Sequence, residues 1–307
     1  MRIRPRRLQP GDTIGIVAPS SPPVQENLER SLAFLEQLGL KWKLGRHVYN
    51  VHGYLAGMDD ERLEDLEGMF ADPSISGIIC ARGGYGSARY TDRLDLQLIR
   101  DNPKVFWGYS DITFLHTAIG QYSNLVTFHG PMLESCVAKD TFHELSAAMF
   151  RQLFEPMELH YTDDISSLNA LAGGSAQGEI VGGNLSLLAD TIGTKFEIDT
   201  KGKLLLIEDI GEEPYRVDSM LNQLRMAGKL TDAAGIVIGD FSDAEPKKER
   251  RTLSLDEVFH HYLGDLGKPV VEGFKIGHCE PHFAIPLGVE GRLDADQKTL
   301  TILPGVE

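Results

Sequence analysis

The sequence has little cysteine. Its three residues, Cys80, Cys136 and Cys279, are too few and too scattered to form a disulfide framework. An odd number of cysteines without an export signal is typical of a reducing compartment, so we expect buried or incidental thiols and a cytoplasmic protein. The short basic cluster from Arg2 to Arg7 is not followed by the apolar stretch of a secretory signal. No later apolar run reaches the length of a membrane span, so no membrane association is predicted.

Basic residues are also scarce. Thirty Lys and Arg face 45 Asp and Glu, which gives a formal net charge of -15 over 307 residues. This charge repels phosphate backbones and anionic lipid, so neither nucleic acid nor a membrane is an expected partner. The 42% hydrophobic and 24% charged content is typical of an ordinary globular protein, and the length predicts about two domains.

Several motifs are missing. The sequence has no H-E-x-x-H, its His, Asp and Glu spacings match no common zinc pattern, and no P-loop lysine follows its glycines. No metal and no other cofactor is therefore predicted. The G-x-S-x-G elbow of the α/β-hydrolases is absent as well.

The first half of the chain alternates short apolar runs with amphipathic stretches, which predicts a parallel sheet wrapped by helices. The predicted strands are Thr13 to Ala18, Trp42 to Val48, Gly77 to Ala81, Val105 to Tyr109 and Val126 to His129, and the predicted helices are Val24 to Leu38 and Glu61 to Phe70. We therefore expect a Rossmann-like or flavodoxin-like α/β domain over residues 1–160.

This pattern dissolves into Ser, Asn, Ala and Gly around Gly173-Gly-Ser175, which predicts a linker over residues 161–177. A second, mixed β/α domain is expected over residues 178–307. Its predicted strands are Leu204 to Ile207, Gly235 to Ile238, Val270 to Phe274 and Leu300 to Leu303, and its predicted helices start at Pro214 and run over Leu255 to Leu263.

The segment from Val105 to Ile119 carries the strongest chemical signal. An apolar strand runs into Gly108, presents Ser110 at the turn and passes directly into a helical pattern. Such a turn lifts a hydroxyl off the sheet edge beside the first free N–H groups of a helix, as a nucleophile requires. The same residues also suit a plain helix cap, with Asp111 in the first turn. Both interpretations stand on this segment alone.

The glycine-rich turn Arg82-Gly-Gly-Tyr-Gly86 follows the apolar run that ends at Ala81. As a dinucleotide signal it is weak, because the required spacing and the later acidic residue are missing. It is either a plain tight turn or an oxyanion loop that faces Ser110 across neighbouring strand ends.

A nucleophilic serine needs a base and an orienting carboxylate. His278 lies in a loop that leaves a strand, and His129 ends another strand, so both are candidate bases. Glu208 and Asp209 follow the apolar run Leu204-Leu-Leu-Ile207, and either acid could orient the histidine.

Several short motifs occur in order along the chain: Pro19-Ser-Ser21, Arg82-Gly-Gly-Tyr-Gly86, Gly108-Tyr-Ser-Asp-Ile112, Gly182-Gly-Asn-Leu185, Ile207-Glu-Asp209 with Pro214-Tyr-Arg216, and Gly277-His278 with Pro286-Leu-Gly288. Together they resemble the LD-carboxypeptidase family, serine peptidases also called muramoyltetrapeptide carboxypeptidases. The resemblance implies a flavodoxin-like N-terminal domain similar to class I glutamine amidotransferases, a smaller mixed C-terminal domain and a homodimer. It also implies release of terminal D-alanine from murein tetrapeptides at an L-to-D bond, during cytoplasmic recycling of peptidoglycan fragments.

The resemblance further implies a triad of Ser110, His278 and Glu208, which favours His278 over His129 and Glu208 over Asp209. The backbone N–H groups of Asp111 and of Gly83 or Gly84 would hold the oxyanion. Arg82 and Arg216 are the hypothesised cations for the substrate carboxylate. Two alternatives are an immunity-type relative that cleaves peptidyl-nucleotide antibiotics and a non-catalytic small-molecule-binding module in which Ser110 is a cap.

Overall fold

The computed structural model describes residues 2–246 and 251–307, which group into two compact units. The described residues of unit 1 come from Met1–Met157, Glu280–Leu287 and Pro304–Glu307. Those of unit 2 come from Glu158–Cys279 and Gly288–Leu303. The chain therefore leaves unit 1 and later returns to it.

The first part of the chain alternates strands with helices, as its hydrophobic pattern predicts. Its elements are β1 (Thr13–Val17), α1 (Gln25–Gln37), β2 (Lys41–Leu44), α2 (Asp59–Ala71), β3 (Ile75–Cys80), α3 (Leu96–Asp101), β4 (Val105–Gly108), α4 (Thr113–Ala118), β5 (Thr127–His129) and α5 (Glu144–Ala148). Short 3-10 turns cover Ser87–Arg89, Thr91–Arg93, Ser110–Ile112 and Met149–Leu153, and π-helical turns cover Ile119–Ser123 and Leu133–Val137.

The remaining elements are richer in strands. They are β6 (Leu159–Tyr161), β7 (Asn169–Ala172), β8 (Ser175–Asn184), α6 (Leu185–Thr191), β9 (Leu204–Ile210), α7 (Pro214–Met226), α8 (Lys229–Asp232), β10 (Gly235–Ser242), α9 (Leu255–Leu263), β11 (Val270–Glu272), β12 (Ile285–Leu287), β13 (Glu290–Asp294) and β14 (Thr299–Ile302).

The sheet of unit 1 has the strand order β2-β1-β3-β4-β5-β12. Its first five strands are parallel in the 2-1-3-4-5 order of flavodoxin-like folds, and β12 adds an antiparallel edge. The predicted fold class is confirmed. Parallel strands place their carboxyl ends along one edge, so the loops after β1, β3 and β4 meet there.

The core of unit 1 forms where helices cover this sheet. Helix α1 buries Leu28, Leu32 and Leu35, which share one face at helical spacing as predicted. On the sheet, the ring of Trp107 stacks on Phe128 and Phe150 with centroid distances of 6.0 and 4.4 Å. These contacts hold β4, and therefore the turn that follows it, on a rigid base.

The sheet of unit 2 has the order β6-β14-β13-β8-β9-β10-β11-β7. Its centre, β8 to β11, is parallel, and antiparallel strands complete both edges. Apolar residues of α6, α7 and α9 pack on the parallel centre. This arrangement is the expected mixed β/α domain.

The stretch 161–177, expected as a linker, contains strand residues. Here β7 pairs antiparallel with β11, and β8 begins at Ser175. A small residue suits position 174 because Gly174, at φ +97°, turns the chain between the two strands. Just after the stretch, a Cβ on Gly178 would lie 2.6 Å from the Gly202 carbonyl oxygen. Small and polar composition here reflects a tight turn and close strand contact.

Candidate active site

The turn after β4 holds Ser110 in an unusual backbone conformation. Its φ is +66°, in the left-handed region that a non-glycine residue rarely adopts. Neither the 3-10 turn that starts at Ser110 nor helix α4 takes a side-chain cap from this serine. The capping interpretation is therefore wrong. Strained turns of this kind present a side chain at the end of a strand, and strain of this kind clusters at functional sites.

The glycine-rich turn after β3 lies directly against Ser110. A Cβ placed on Gly83 would be 2.9 Å from the Cβ and 3.1 Å from the Oγ of Ser110, so only glycine fits there. The N–H of Ser21 donates to the Gly83 carbonyl at 3.2 Å, and the N–H of Tyr85 donates to Ser21 Oγ at 3.3 Å. The glycine turn is thus held between the loop after β1 and the turn that carries Ser110.

Three backbone N–H groups near Ser110 are available for an oxyanion. Within residues 2–246 and 251–307, the N–H groups of Gly83, Gly84 and Asp111 have no hydrogen-bond acceptor. A Cβ on Gly83 would also lie 3.4 Å from the Asp111 nitrogen, so the two turns approach each other at their backbones. These N–H groups are compatible with an oxyanion loop, and the assignment of that role stays a prediction.

The carboxylate of Asp111 ties three functional loops together. It is 2% exposed and accepts hydrogen bonds from Ser20 Oγ at 2.5 Å and from the N–H of Ser87 at 2.9 Å. Ser87 Oγ in turn donates to the Asp111 carbonyl at 2.7 Å. Sequence reasoning missed this role because the partners lie 91 and 24 positions away in the chain. The only local signal was an acidic residue directly after the serine at the end of an apolar strand.

A second anchor missed by sequence reasoning is Arg62 of α2. Its guanidinium is nearly fully buried and donates to the carbonyl oxygens of Pro19 and Gly86 at 2.9 and 2.8 Å, and it also pairs with Asp59. Its charge lies 4.9 Å from the centroid of the Tyr90 ring. Arg62 therefore fixes the end of the glycine-rich turn to the loop after β1.

In unit 2, Glu208 and His278 form a hydrogen-bonded pair. Glu208 Oε2 lies 2.7 Å from His278 Nδ1, and the Glu208 side chain is fully buried. Glycines create the space for it, because a Cβ on Gly277 would lie 2.6 Å from Oε2 and a Cβ on Gly239 would lie 3.1 Å from the Glu208 Cβ. A carboxylate on Nδ1 fixes the tautomer and leaves Nε2 to accept a proton.

The surroundings raise the pKa of His278 above the usual value for histidine. Burial alone lowers the pKa, but the charge and hydrogen bond of Glu208, with further help from Asp209 and Asp240, outweigh it. Ser242 Oγ donates to the His278 carbonyl at 2.8 Å and fixes the backbone of the loop. The imidazolium is therefore stabilised. A general base needs this property because it carries a proton in the transition state.

The neighbouring Asp209 performs a different task. Its carboxylate accepts hydrogen bonds from the N–H and Oγ of Ser186, at 2.9 and 2.8 Å, and from Asn184 Nδ2 at 3.0 Å. These contacts anchor the start of α6. Burial raises the pKa of Asp209 despite these donors. Of the two acids, Glu208 is the one that contacts the histidine.

Three histidines of unit 1, His116, His129 and His282, are packed in the core. The ring of His129 is fully buried and lies edge-on to Tyr109 at 5.6 Å and tilted against His282 at 5.4 Å. His116 Nε2 lies 2.8 Å from the Gly108 carbonyl oxygen, and burial lowers its pKa to about 3. These rings therefore contact Gly108 and Tyr109, the two residues before Ser110.

The two candidate cations lie in different units. Arg82 of unit 1 is one-third exposed, with Nη1 3.7 Å from Glu134 Oε2 and 3.4 Å from the Pro22 carbonyl oxygen. Arg216 of unit 2 is half-exposed on α7 and lies 3.4 Å from Glu212. Each could bind a carboxylate.

Three further properties of the described residues concern a metal site, a membrane-spanning helix and a disulfide. In that part of the chain no group of three or more His, Cys, Asp and Glu is placed to hold a metal ion. None of the helices in residues 2–246 and 251–307 combines the length and the apolar character that a bilayer crossing requires. Within the described residues Cys80, Cys136 and Cys279 form no disulfide; the first two are buried and Cys279 is partly exposed.

Comparison with known protein families gives two matches in chain order. The model of the LD-carboxypeptidase N-terminal domain matches residues 14–130, and that of the C-terminal domain matches residues 177–293. The chain belongs to the LD-carboxypeptidase family. The Ser110 turn falls in the first match and the Glu208–His278 pair in the second.

Individual relatives of this peptidase family extend over the whole chain. A probable murein peptide carboxypeptidase from Bacillus subtilis is 53% identical over 306 residues, which cover 100% of this chain and 96% of the relative. The crystal structure of an MccF-like protein from Bacillus anthracis aligns with TM-score 0.87 and 26% identity, covering 98% and 99% of the two chains. That of muramoyltetrapeptide carboxypeptidase from Oxalobacter formigenes aligns with TM-score 0.85 and 27% identity, covering 94% and 97%.

Proposed function

We propose that this protein is a serine LD-carboxypeptidase that releases the terminal D-alanine of murein tetrapeptides. The observation that carries the proposal is the buried Glu208 on Nδ1 of His278, at 2.7 Å, in a chain whose Ser110 adopts a left-handed turn against Gly83. The 53% identity to a probable murein peptide carboxypeptidase supports the substrate class.

In the proposed mechanism, Ser110 Oγ attacks the carbonyl carbon of the scissile L-to-D bond. Nε2 of His278 takes the serine proton, while Glu208 holds the ring and stabilises the imidazolium. The proton then passes to the nitrogen of the leaving D-alanine, the bond breaks, and an acyl-serine ester remains. Water, deprotonated by the same histidine, hydrolyses the ester and restores Ser110.

The oxyanion of each tetrahedral intermediate would be held by the N–H of Asp111 and by that of Gly83 or Gly84. Such donors contribute on the order of 3 kcal/mol each to transition-state stabilisation. Asp111 thus has two tasks in this proposal, since its N–H faces the reaction and its carboxylate fixes the surrounding loops.

An exopeptidase must also recognise the free carboxylate at the end of its substrate. Arg82 and Arg216 are the proposed cations, since a guanidinium pairs with a carboxylate through two parallel hydrogen bonds. A cytoplasmic location and a homodimer, both implied by the family resemblance, remain predictions. Sedimentation equilibrium measures the second directly.

The deciding experiment measures D-alanine release from a murein tetrapeptide by the wild type and by Ser110→Ala. A pentapeptide and an all-L tetrapeptide are controls for chain length and for the L-to-D bond. We expect release by the wild type from the tetrapeptide alone and none by the variant.

An immunity-type activity on peptidyl nucleotides is less well supported, because the MccF-like structure is 26% identical whereas the murein peptide carboxypeptidase is 53% identical. Release from a peptidyl adenylate but not from a tetrapeptide would reverse this choice. A chain that cleaves neither substrate and resists a serine-reactive probe at Ser110 would be the binding module.

A further inference from the structure

Two exposed tyrosines form an aromatic platform beside the glycine-rich turn. Tyr54 and Tyr85 are 66% and 54% exposed, and their rings meet edge-to-face with centroids 5.7 Å apart. Exposed aromatic pairs are costly to leave in water unless they contact something. Tyr85 belongs to the same short turn as Gly83, which contacts Ser110.

The platform is held rigidly to the Ser110 turn. Residues 52–55 close a tight turn through two hydrogen bonds between His52 and Leu55, which puts Tyr54 at its tip. Leu55 is buried, and the N–H of Ala56 donates to the Ser20 carbonyl at 2.9 Å. Ser20 is the residue whose hydroxyl binds the Asp111 carboxylate. The tip therefore keeps a fixed position relative to Ser110.

A polar cavity of about 340 Å³ lies beside the turn that carries Tyr54, because His52 of that turn lines it. Its lining includes Asp59, Asp60 and Asp92 together with Arg89 and Arg93. Arg89 binds both carboxylate oxygens of Asp59, at 2.9 and 3.0 Å. Aromatic faces beside ion-paired carboxylates and guanidiniums are the groups that bind a pyranose, which presents C–H faces and a rim of hydroxyls.

The spacing from Ser110 decides which ligand such a surface would meet. Two peptide links separate Gly83 from Tyr85, so the Tyr85 Cα lies within about 12 Å of the Ser110 side chain. In a muramoyl tetrapeptide the sugar is attached to the amino end, three residues before the bond that would be cleaved. Three extended residues span about 10 Å. The sugar would therefore reach the platform while the scissile bond lies at Ser110.

We propose that Tyr54 and Tyr85, with the adjoining cavity, form a subsite for the amino sugar of a muramoyl peptide. This proposal rests on the proposed carboxypeptidase function. The pyranose ring would stack on the exposed tyrosine faces, and its hydroxyls would donate to Asp59 and accept from Arg89.

The test compares N-acetylmuramoyl tetrapeptide with the free tetrapeptide of the same sequence. For the wild type we expect kcat/KM to be about tenfold higher for the sugar-bearing substrate. Tyr54→Leu should remove most of this preference, whereas Tyr54→Phe, which keeps the aromatic ring, should retain it. The control is Tyr122→Leu, which replaces another exposed tyrosine of unit 1 and should leave the preference at the wild-type value. Calorimetric binding of both compounds to Ser110→Ala should show the same preference, and its loss when Tyr54→Leu is added.

The outcomes separate the subsite from the activity. Hydrolysis of both substrates with equal kcat/KM would overturn the subsite and leave the carboxypeptidase intact. Sugar-dependent binding without hydrolysis by the wild type would support the subsite and refute the activity. A preference unchanged in Tyr54→Leu would overturn the subsite. A change of oligomeric state in Tyr54→Leu on sedimentation would assign the surface to self-association and also overturn it.

Discussion

At the scale of single residues, adjacent acids on one strand divide two tasks. Side chains alternate along a strand, so Glu208 and Asp209 point to opposite faces of β9. One face holds the histidine and the other holds the start of α6. In the proposed mechanism, Glu208 serves the chemistry and Asp209 the stability of the fold, and single substitutions can separate the two effects.

Replacing each acid by its amide should affect different quantities: kcat in one variant and the free energy of unfolding in the other. Glu208→Gln should lower kcat about 10²–10⁴-fold, because the amide no longer stabilises the imidazolium or its tautomer. Asp209→Asn should lower the free energy of unfolding by about 1–3 kcal/mol, because an amide group then faces the donors of Ser186. D-alanine release and urea unfolding measure the two effects. A greater loss of kcat in Asp209→Asn than in Glu208→Gln would contradict the assignment.

In the proposed mechanism, the pH dependence of activity follows from His278. The base must be neutral to accept a proton, and its pKa is raised, so kcat/KM should begin to fall at a higher pH than for an ordinary histidine as the solution is acidified. In Glu208→Gln the raising partner is gone and burial prevails, so this acidic limb should move to lower pH. Profiles of kcat/KM from pH 5 to about 9 show the shift. An unmoved limb would exclude His278 as the titrating base.

The two candidate cations can be distinguished by the substrate's terminal charge. Changing the arginine that binds the carboxylate to Gln should raise KM for the tetrapeptide about tenfold or more. The same change should raise KM for the C-terminal amide of that peptide much less. Arg82→Gln and Arg216→Gln are the test variants, and Arg100→Gln, an exposed arginine of α3, is the control. Equal effects on both substrates would remove that arginine from the role.

At the scale of elements, the loops after β1, β3 and β4 act as one assembly. The carboxylate of Asp111 joins Ser20 to Ser87, and the backbone of Gly83 lies against Ser110. Each loop is short and irregular, yet each is fixed by its neighbours. The geometry of the site therefore depends on close backbone approach more than on any single side chain.

Adding one methyl group should show this dependence. In Gly83→Ala the new Cβ would lie 2.9 Å from the Ser110 Cβ, so one turn must move, and kcat should fall about 10²-fold or more. Gly68→Ala is the control, because nothing lies within 4 Å of its Cβ in α2, and it should stabilise the helix by about 1 kcal/mol. Wild-type kcat in Gly83→Ala would show that the turn at Ser110 tolerates displacement.

Sequence patterns predicted elements best where their signals were local. Helix α9 spans the predicted residues Leu255–Leu263. Ser254 and Glu257 form a capping box that fixes its start. The left-handed φ of Ser110 and the role of the Asp111 carboxylate were not predictable in this way. Both depend on contacts with residues far along the chain, and the amino-acid type at positions 110 and 111 does not indicate those contacts.

At the scale of the whole molecule, chain order and spatial grouping differ. The sequence predicted one boundary near residues 161–177, whereas unit 1 regains Glu280–Leu287 and Pro304–Glu307 late in the chain. The strand pattern near Ile285 is only three residues long, too short to indicate which sheet it joins. Only the pairing of β12 with β5 reveals it.

Isoleucine substitutions test this late contribution to unit 1. Ile285 is fully buried in β12, so Ile285→Ala should lower the free energy of unfolding by about 2–5 kcal/mol. Ile210→Ala is the control, since Ile210 is 41% exposed on β9. Both tryptophans, Trp42 and Trp107, lie in unit 1, so their fluorescence during urea unfolding reports on that unit. An unshifted tryptophan transition in Ile285→Ala would contradict the placement of β12.

The late return of the chain also determines when the first sheet can close during synthesis. Strand β5 ends at His129, and its edge partner β12 begins at Ile285. At about 5–20 residues per second, a ribosome needs about 8–31 s to make the intervening segment. For that interval the nascent sheet presents an unpaired edge, while residues 158–279 of unit 2 are synthesised. An unpaired edge strand is a template for pairing with another chain, so the sheet of unit 1 is open to such pairing until β12 has been made.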